Sequence, residues 1–245
     1  MGFMGKIFTR ETGPSPRQLR KGLKQATQIH GEASTRVAAL ERLAQWRTPE
    51  AIAALLRRFT IQVAQGSIDL EEKQYTVRML VEIGAPAVDP ILHFLQTEGE
   101  VTWPARALRE ILSPEEFNLT IKNVLEKLNT GYARWPEAKS VLISQLPDEA
   151  FPVVKDTIVK FLADEDDDVC IAAADYLARH ESEETRTQLL QTFLSAESRP
   201  RVRGRILDHF CEREWPVKGY RKLVEEAIQE PFYLTSKGSV KRRSL

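Results

Sequence analysis

The chain has 245 residues, and Lys+Arg balance Asp+Glu at 35 each for a formal charge of +0. That balance weighs against a dedicated nucleic-acid binder, whose affinity comes mainly from an excess of cations over phosphates. With 42% hydrophobic and 29% charged residues, the composition excludes a disordered, collagen-like or membrane-spanning chain and predicts a soluble, ordered one.

In chain order, residues Met1 to Pro16 carry charges at Lys6, Arg10 and Glu11 and lack the apolar run of a secretory signal. No stretch of about 18 apolar residues follows anywhere. The first predicted helix lies near residues 16–30. It places Leu19, Leu23, Ala26 and Ile29 on one side and Arg17, Arg20, Lys21 and Lys24 largely on the other, the pattern of an amphipathic cap at the end of a stack.

A self-similar series begins after it. The segments Thr35–Leu43, Val77–Ile83 and Ala105–Ile111 each show an apolar residue followed three and six positions later by others. Looser copies start at Ala138, Val169 and Val202. From Ala105 onward the anchors 105, 138, 169 and 202 recur at about 31 to 33 residues, the length of a helical repeat unit.

Each anchor helix is followed by a second striped segment. Ile52/Leu55/Leu56/Phe59, Val88/Ile91/Leu92/Leu95 and Ile121/Val124/Leu125/Leu128 keep the i, i+3, i+4, i+7 spacing of one helix face. So do Val154/Ile158/Phe161/Leu162, Leu189/Leu190/Phe193/Leu194 and Leu223/Val224/Ala227/Ile228. Thr48, Ser113 with Glu116, Asp69 with Glu72, and Ser182 read as N-caps, and Gly84 and Gly131 as C-terminal stops. Strand signals are missing.

The run Asp166-Asp167-Asp168-Val169-Cys170-Ile171-Ala172-Ala173-Ala174-Asp175-Tyr176-Leu177 resembles the D-x-x-V-R-x-x-A-A-x-x-L helix of HEAT repeats, particularly the short bacterial repeats also found in phycobilin lyases. Cys170 stands where that pattern has arginine. Arg78, Arg106 and Arg203 keep the arginine in segments that lose most of the alanines. The expected fold is therefore all-α, an α-α superhelix (solenoid) of about six stacked HEAT-like helix pairs. Residues 1–32 form an N-terminal segment and capping helix, 33–230 the solenoid, and 231–245 a basic, mobile tail.

Candidate chemistry is sparse. His30, His93, His180 and His209 belong to different pairs and show no metal spacing. Cys170 and Cys211 lie within apolar helical patterns and are read as packing residues in a reduced, cytoplasmic protein. Trp103-Pro104, Trp135-Pro136 and Trp215-Pro216 stand where helices should begin, as staples or as an aromatic platform for a base. The acidic run Asp164 to Asp168 is read as a solvated turn at a helix N-terminus and not as a metal loop. Basic clusters occur at Arg17/Arg20/Lys21/Lys24, Arg57/Arg58, Arg199/Arg201/Arg203/Arg205 and Lys237/Lys241/Arg242/Arg243; solvated faces account for them, or a phosphate track if they converge. No catalytic, cofactor or metal residue is assigned.

The resemblance implies a protein-binding scaffold whose second helices line the concave side. Its outward positions are Arg57, Arg58, His93, Gln96, Lys122, Lys155 and Gln188, a mildly basic stripe suited to a protein or acidic peptide partner. The alternatives it carries are a nucleic-acid-binding or DNA-glycosylase-like HEAT protein and a bilin lyase-like enzyme.

Overall fold

The computed structural model describes residues 13–129 and 135–243. Among them stand thirteen α-helices and one two-stranded antiparallel sheet. Helix α1 (Pro16–Ala26) is followed in chain order by α2 (Ala33–Trp46), α3 (Pro49–Leu56), α4 (Gly66–Ile83), α5 (Val88–Thr97), α6 (Thr102–Ile111) and α7 (Pro114–Leu128). Then come α8 (Pro136–Ser144), α9 (Phe151–Phe161), α10 (Asp167–Ala178), α11 (Glu183–Ser195), α12 (Pro200–Glu212) and α13 (Arg221–Ala227). No described helix is long and apolar enough to cross a membrane.

Cap chemistry sets several boundaries. The backbone N–H of Ala51 donates to Thr48 Oγ1 at 3.3 Å, and that of Thr185 to Ser182 Oγ at 3.0 Å. Ser113 and Glu116 close a reciprocal capping box on α7. Each such cap stabilises its helix by about 1 kcal/mol. Gly84 ends α4 at φ 73°, a left-handed conformation that costs glycine little because it has no Cβ. Asp69 corrects the expectation: α4 begins at Gly66, so Asp69 lies inside the helix, buried, with its carboxylate turned to the backbone N–H of Val63. The expected stop at Gly131 lies outside the described residues.

The chain divides into two compact units. The first runs to Phe94 and takes back Trp103–Ile111, and the second holds Leu95–Thr102 and the residues from Leu112 on. In the first, α2 packs against α1, α3 and α4, and Leu40, Leu43, Ile52, Leu55, Leu56 and Leu80 are fully buried. Gly22 of α1 lies so close to α2 that an added Cβ would stand 3.0 Å from Leu43 Cδ2. In the second, α10 packs against α8, α9, α11 and α12, and α7 packs against α9. Phe161, Phe193 and Phe210 are buried there, each worth roughly 1.5–3 kcal/mol relative to exposure.

Within each unit, several long-range side-chain hydrogen bonds span 31 to 36 residues. Arg36 reaches 36 residues ahead to Glu72, and Tyr75 reaches 34 back to Glu41. In the second unit Thr157 bonds Glu126 at a separation of 31, Arg199 bonds Asp167 at 32, and Arg179 bonds the Leu146 carbonyl at 33. Each of these joins α2 to α4, α7 to α9, or an end of α10 to the end of α8 or α12.

The segment after Pro231 corrects the expected absence of strands. β1 (Phe232–Leu234) and β2 (Val240–Arg242) pair antiparallel with Tyr233 opposite Lys241. Phe232 and Val240 turn inward and are buried. Three-residue strands are too short to show alternation, and the connecting turn uses Gly238 at φ 80° without an Asn-Gly or Asp-Gly signature. Trp215-Pro216 likewise does not open a helix: Trp215 is buried edge-on to Phe210, with ring centroids 5.5 Å apart, and Pro216 bridges to Ser239.

Candidate functional site

The predicted stripe does not emerge as a row of available cations. Arg58 is 0% exposed, because α3 stops at Leu56 and a single 3-10 turn, Arg57–Thr60, swings its side chain inward. Arg57 lies half-buried on the same turn, and His93 is exposed on α5. In the second unit, Gln96 is half-buried on α5. Lys122 faces Glu126 at 4.0 Å, Lys155 pairs with Glu184, and the Gln188 amide donates to Glu184 Oε1 at 3.3 Å. Carboxylates of the same helix, for Lys122 and Gln188, or of α11, for Lys155, already answer this part of the stripe.

The cluster at Arg199, Arg201, Arg203 and Arg205 is likewise engaged within the chain. Arg199 Nε donates to Asp167 Oδ1 at 2.6 Å, Arg201 pairs with Asp168, and Arg205 Nε donates to Asp175 Oδ1 at 2.6 Å. Arg203 lies over the Phe193 ring and donates to the Ala227 carbonyl. The acidic run is the complementary edge: Asp164 accepts from Lys139 at 2.7 Å, and Asp166 caps α10 through the N–H groups of Asp168 and Val169. Among the described residues no group of His, Cys, Asp and Glu is arranged to hold a metal. Lys241, Arg242 and Arg243 pair with Glu214, Asp208 and Glu230.

Inside the first unit the buried Arg58 belongs to an ionic knot. Glu72 accepts from Arg36 Nη2 and from Arg58 Nε, both at 2.8 Å, while Asp69 accepts from Arg58 Nη2 and pairs with Lys73, also at 2.8 Å. The remaining guanidinium donors reach the carbonyls of Gln28, Gly31 and Ile61. Burial pushes the Asp69 carboxyl upward, but hydrogen bonds from Lys73, Arg58 and Val63 outweigh it and hold the group below its ordinary value. With each partner accounted for, the knot braces α2, the 3-10 turn and α4 and leaves nothing for a substrate.

Two further polar clusters lie in the second unit. His209 is buried, with Nε2 at 2.6 Å from Asp175 Oδ1 and Arg213 donating to Nδ1 at 3.0 Å; because guanidinium only donates, Nε2 carries the proton given to Asp175. Burial raises the Asp175 carboxyl, yet the His209 and Arg205 hydrogen bonds win and lower it. His180 stacks on Phe151 with centroids 3.9 Å apart, and burial lowers its basicity. Cys170 donates to the Leu162 carbonyl, and burial pushes its thiol up to about 11, which makes it inert as a nucleophile. Trp103 belongs to the first unit, Trp135 and Trp215 to the second.

A concave surface that sequence reasoning missed opens between α2 and α4. It has a volume of about 580 Å³ and is lined by Glu41, Ala44, Gln45, Arg47, Tyr75, Met79, Glu82 and Ile83. Met79 and Ile83 are buried and form an apolar floor. The Tyr75 hydroxyl donates to Glu41 Oε1 at 2.8 Å, and that bond, with partial burial and the Glu41 and Glu82 charges, raises the phenol's pKa above its ordinary value and makes it a weaker acid. Arg78 lies over the Tyr75 ring, 5.3 Å from its centroid. Arg47, in the left-handed region at φ 52°, ends α2 and donates to the Glu82 carbonyl at 3.0 Å. The one available signal is that Glu41 and Glu82 flank the apolar anchors of two repeat copies, which the packing of α2 on α4 brings side by side.

Comparison with known protein families, curated proteins and solved structures yields no significant match.

Proposed function

We propose that this protein is a non-enzymatic, protein-binding scaffold, built as a solenoid of HEAT-like helix pairs, that receives a partner segment in the cleft between α2 and α4. The recurrence of long-range hydrogen bonds at separations of 30 to 36 residues supports the repeat reading, since a stack of helix pairs contacts only its neighbours. The cleft supports the binding reading. An apolar floor of Met79 and Ile83, an adaptable thioether and a tyrosine with both an apolar ring and a polar tip are the groups that anchor partner side chains. Glu41 and Glu82 at the rim favour a segment with a basic residue beside its apolar anchor. An acidic partner on the stripe has less support, because Arg58 is buried and Lys122 and Lys155 face carboxylates.

The test is capture from native lysate by the immobilised full chain, read by mass spectrometry. Tyr75→Ala combined with Glu41→Ala should abolish retention of the enriched partner while far-UV circular dichroism stays unchanged. Arg57→Glu with Lys122→Glu should leave retention intact; the opposite pattern would return the partner to the basic stripe.

A further inference from the structure

Two hydrogen bonds set the register of α2 on α4: the Tyr75 hydroxyl donates to Glu41 at 2.8 Å, and Arg47 donates to the Glu82 carbonyl at 3.0 Å. The later residue of α2 meets the later residue of α4, so the helices run side by side in the same direction. On α4, Tyr75, Met79, Glu82 and Ile83 follow i, i+4, i+7 and i+8 and line one face of the cleft, and on α2 Glu41, Ala44 and Gln45 follow i, i+3 and i+4. At 1.5 Å of rise per residue, Tyr75 and Glu82 stand about 10 Å apart along the axis. Glu41, level with Tyr75, and Glu82 therefore mark two ends of the cleft, with Met79 and Ala44 between them.

Charge and backbone chemistry identify what fits there. Exposed acids elsewhere, such as Glu184 and Asp168, have a cation of the chain at hand. Glu41 and Glu82 are exposed, and among the described residues neither enters an ion pair. The neighbouring guanidinium groups are turned elsewhere, Arg47 to the main-chain carbonyl of Glu82 and Arg78 to the face of the Tyr75 ring. A cation at each end, about 10 Å apart, is the complement of this rim. The backbone of α2 and α4 is bonded within each helix, so an extended segment laid over Met79 and Ile83 would find no partner for the N–H and C=O groups it turns inward, whereas a helix satisfies its own. A helix also repeats its turns every 5.4 Å, the spacing of the side-chain ridges that line the cleft.

We propose that the partner segment of the cleft is an amphipathic helix with Lys or Arg at two positions seven residues apart and a bulky apolar residue three or four positions after the first, an inference that rests on the protein-binding reading of that cleft. Its two cations meet Glu41 and Glu82, and its apolar side chain meets Met79 beside Ala44. Seven residues of helix span the same length as Tyr75 to Glu82, so both cations engage at once.

Selection from a displayed peptide library on the immobilised full chain tests it. The probe is an alanine-rich helical peptide of about 15 residues with its central positions randomised. Retained sequences should carry Lys or Arg seven apart with the apolar residue between them, and a proline placed between the two cations should abolish retention. Glu41→Gln with Glu82→Gln should weaken binding about tenfold at about 0.1 M salt. Tyr75→Ala separates this inference from the reading beneath it. If the retained peptides need Tyr75 but space their cations two or four apart, tolerate the proline, or bind the double glutamine variant equally well, the helix is overturned and the cleft reading stands. If no retained peptide depends on Tyr75, both fall. A dimer of the chain that Glu82→Lys dissolves would make a second copy the occupant and overturn the proposal too.

Discussion

The two units differ in how most of their ion pairs are placed, although the second also holds the buried Lys139–Asp164 pair. The first gathers Arg36, Arg58, Asp69, Glu72 and Lys73 into one largely buried knot. The second distributes its pairs along the edge of α8, α10 and α12, where Arg201 with Asp168 and Arg205 with Asp175 remain partly or largely exposed. Buried charges cost several kcal/mol to desolvate and tolerate no missing partner, whereas exposed pairs contribute little and tolerate loss. The first unit is therefore specific and brittle at its centre, and the second is held by its apolar core with the ion pairs adjusting register.

The largest break in that contrast is expected from Glu72→Ala. It leaves two buried guanidinium groups facing each other and should cost about 3–5 kcal/mol in urea unfolding. A loss below 1 kcal/mol would show that water reaches the knot.

Acid should come next in effect. The folded Asp69 and Asp175 carboxyls both lie below their unfolded values, so their stabilisation is complete above the unfolded value of about 4 and is lost as pH falls through the folded values. The urea midpoint should hold between neutrality and about pH 5 and then fall. Glu72→Ala, which unbalances Asp69's surroundings, should shift where that fall begins.

Asp175→Asn should cost about 1 kcal/mol, discounted because the carboxylate is partly exposed, and raised salt should shrink the difference. Arg201→Ala should leave the melting temperature unchanged. The mildest probe is chemical: iodoacetamide on the native protein should modify half-buried Cys211 well before Cys170, whose protonated thiol is enclosed. Equal labelling would mean that α10 opens locally.

Helix positions were legible because apolar spacing at i, i+3, i+4 and i+7 is a local signal, and so were Thr48, Ser113 and Ser182, whose partners lie three residues away. Orientation was not. Arg58 reads as outward if α3 continues through Phe59, but a 3-10 turn advances about 120° per residue against 100° in an α-helix, and its partners lie 11 and 14 residues on. The neutralisation of Lys155 by Glu184 depends on a register that one helix does not reveal. The cleft was invisible for the same reason: Glu41 and Tyr75 are 34 residues apart and acquire meaning only when α2 lies on α4. The hairpin escaped because each strand has three residues.

In the second unit Thr157, Arg179, Arg199, Arg201 and Arg205 each bond a group 30 to 33 residues earlier, and that spacing has a genetic corollary. A duplicated stretch of one such length inside the second unit would bring its own cation for the acid before it and its own acid for the cation after it, as Arg199 and Asp167 now serve each other. A variant with such a stretch duplicated is therefore expected to remain foldable without orphaning a charge.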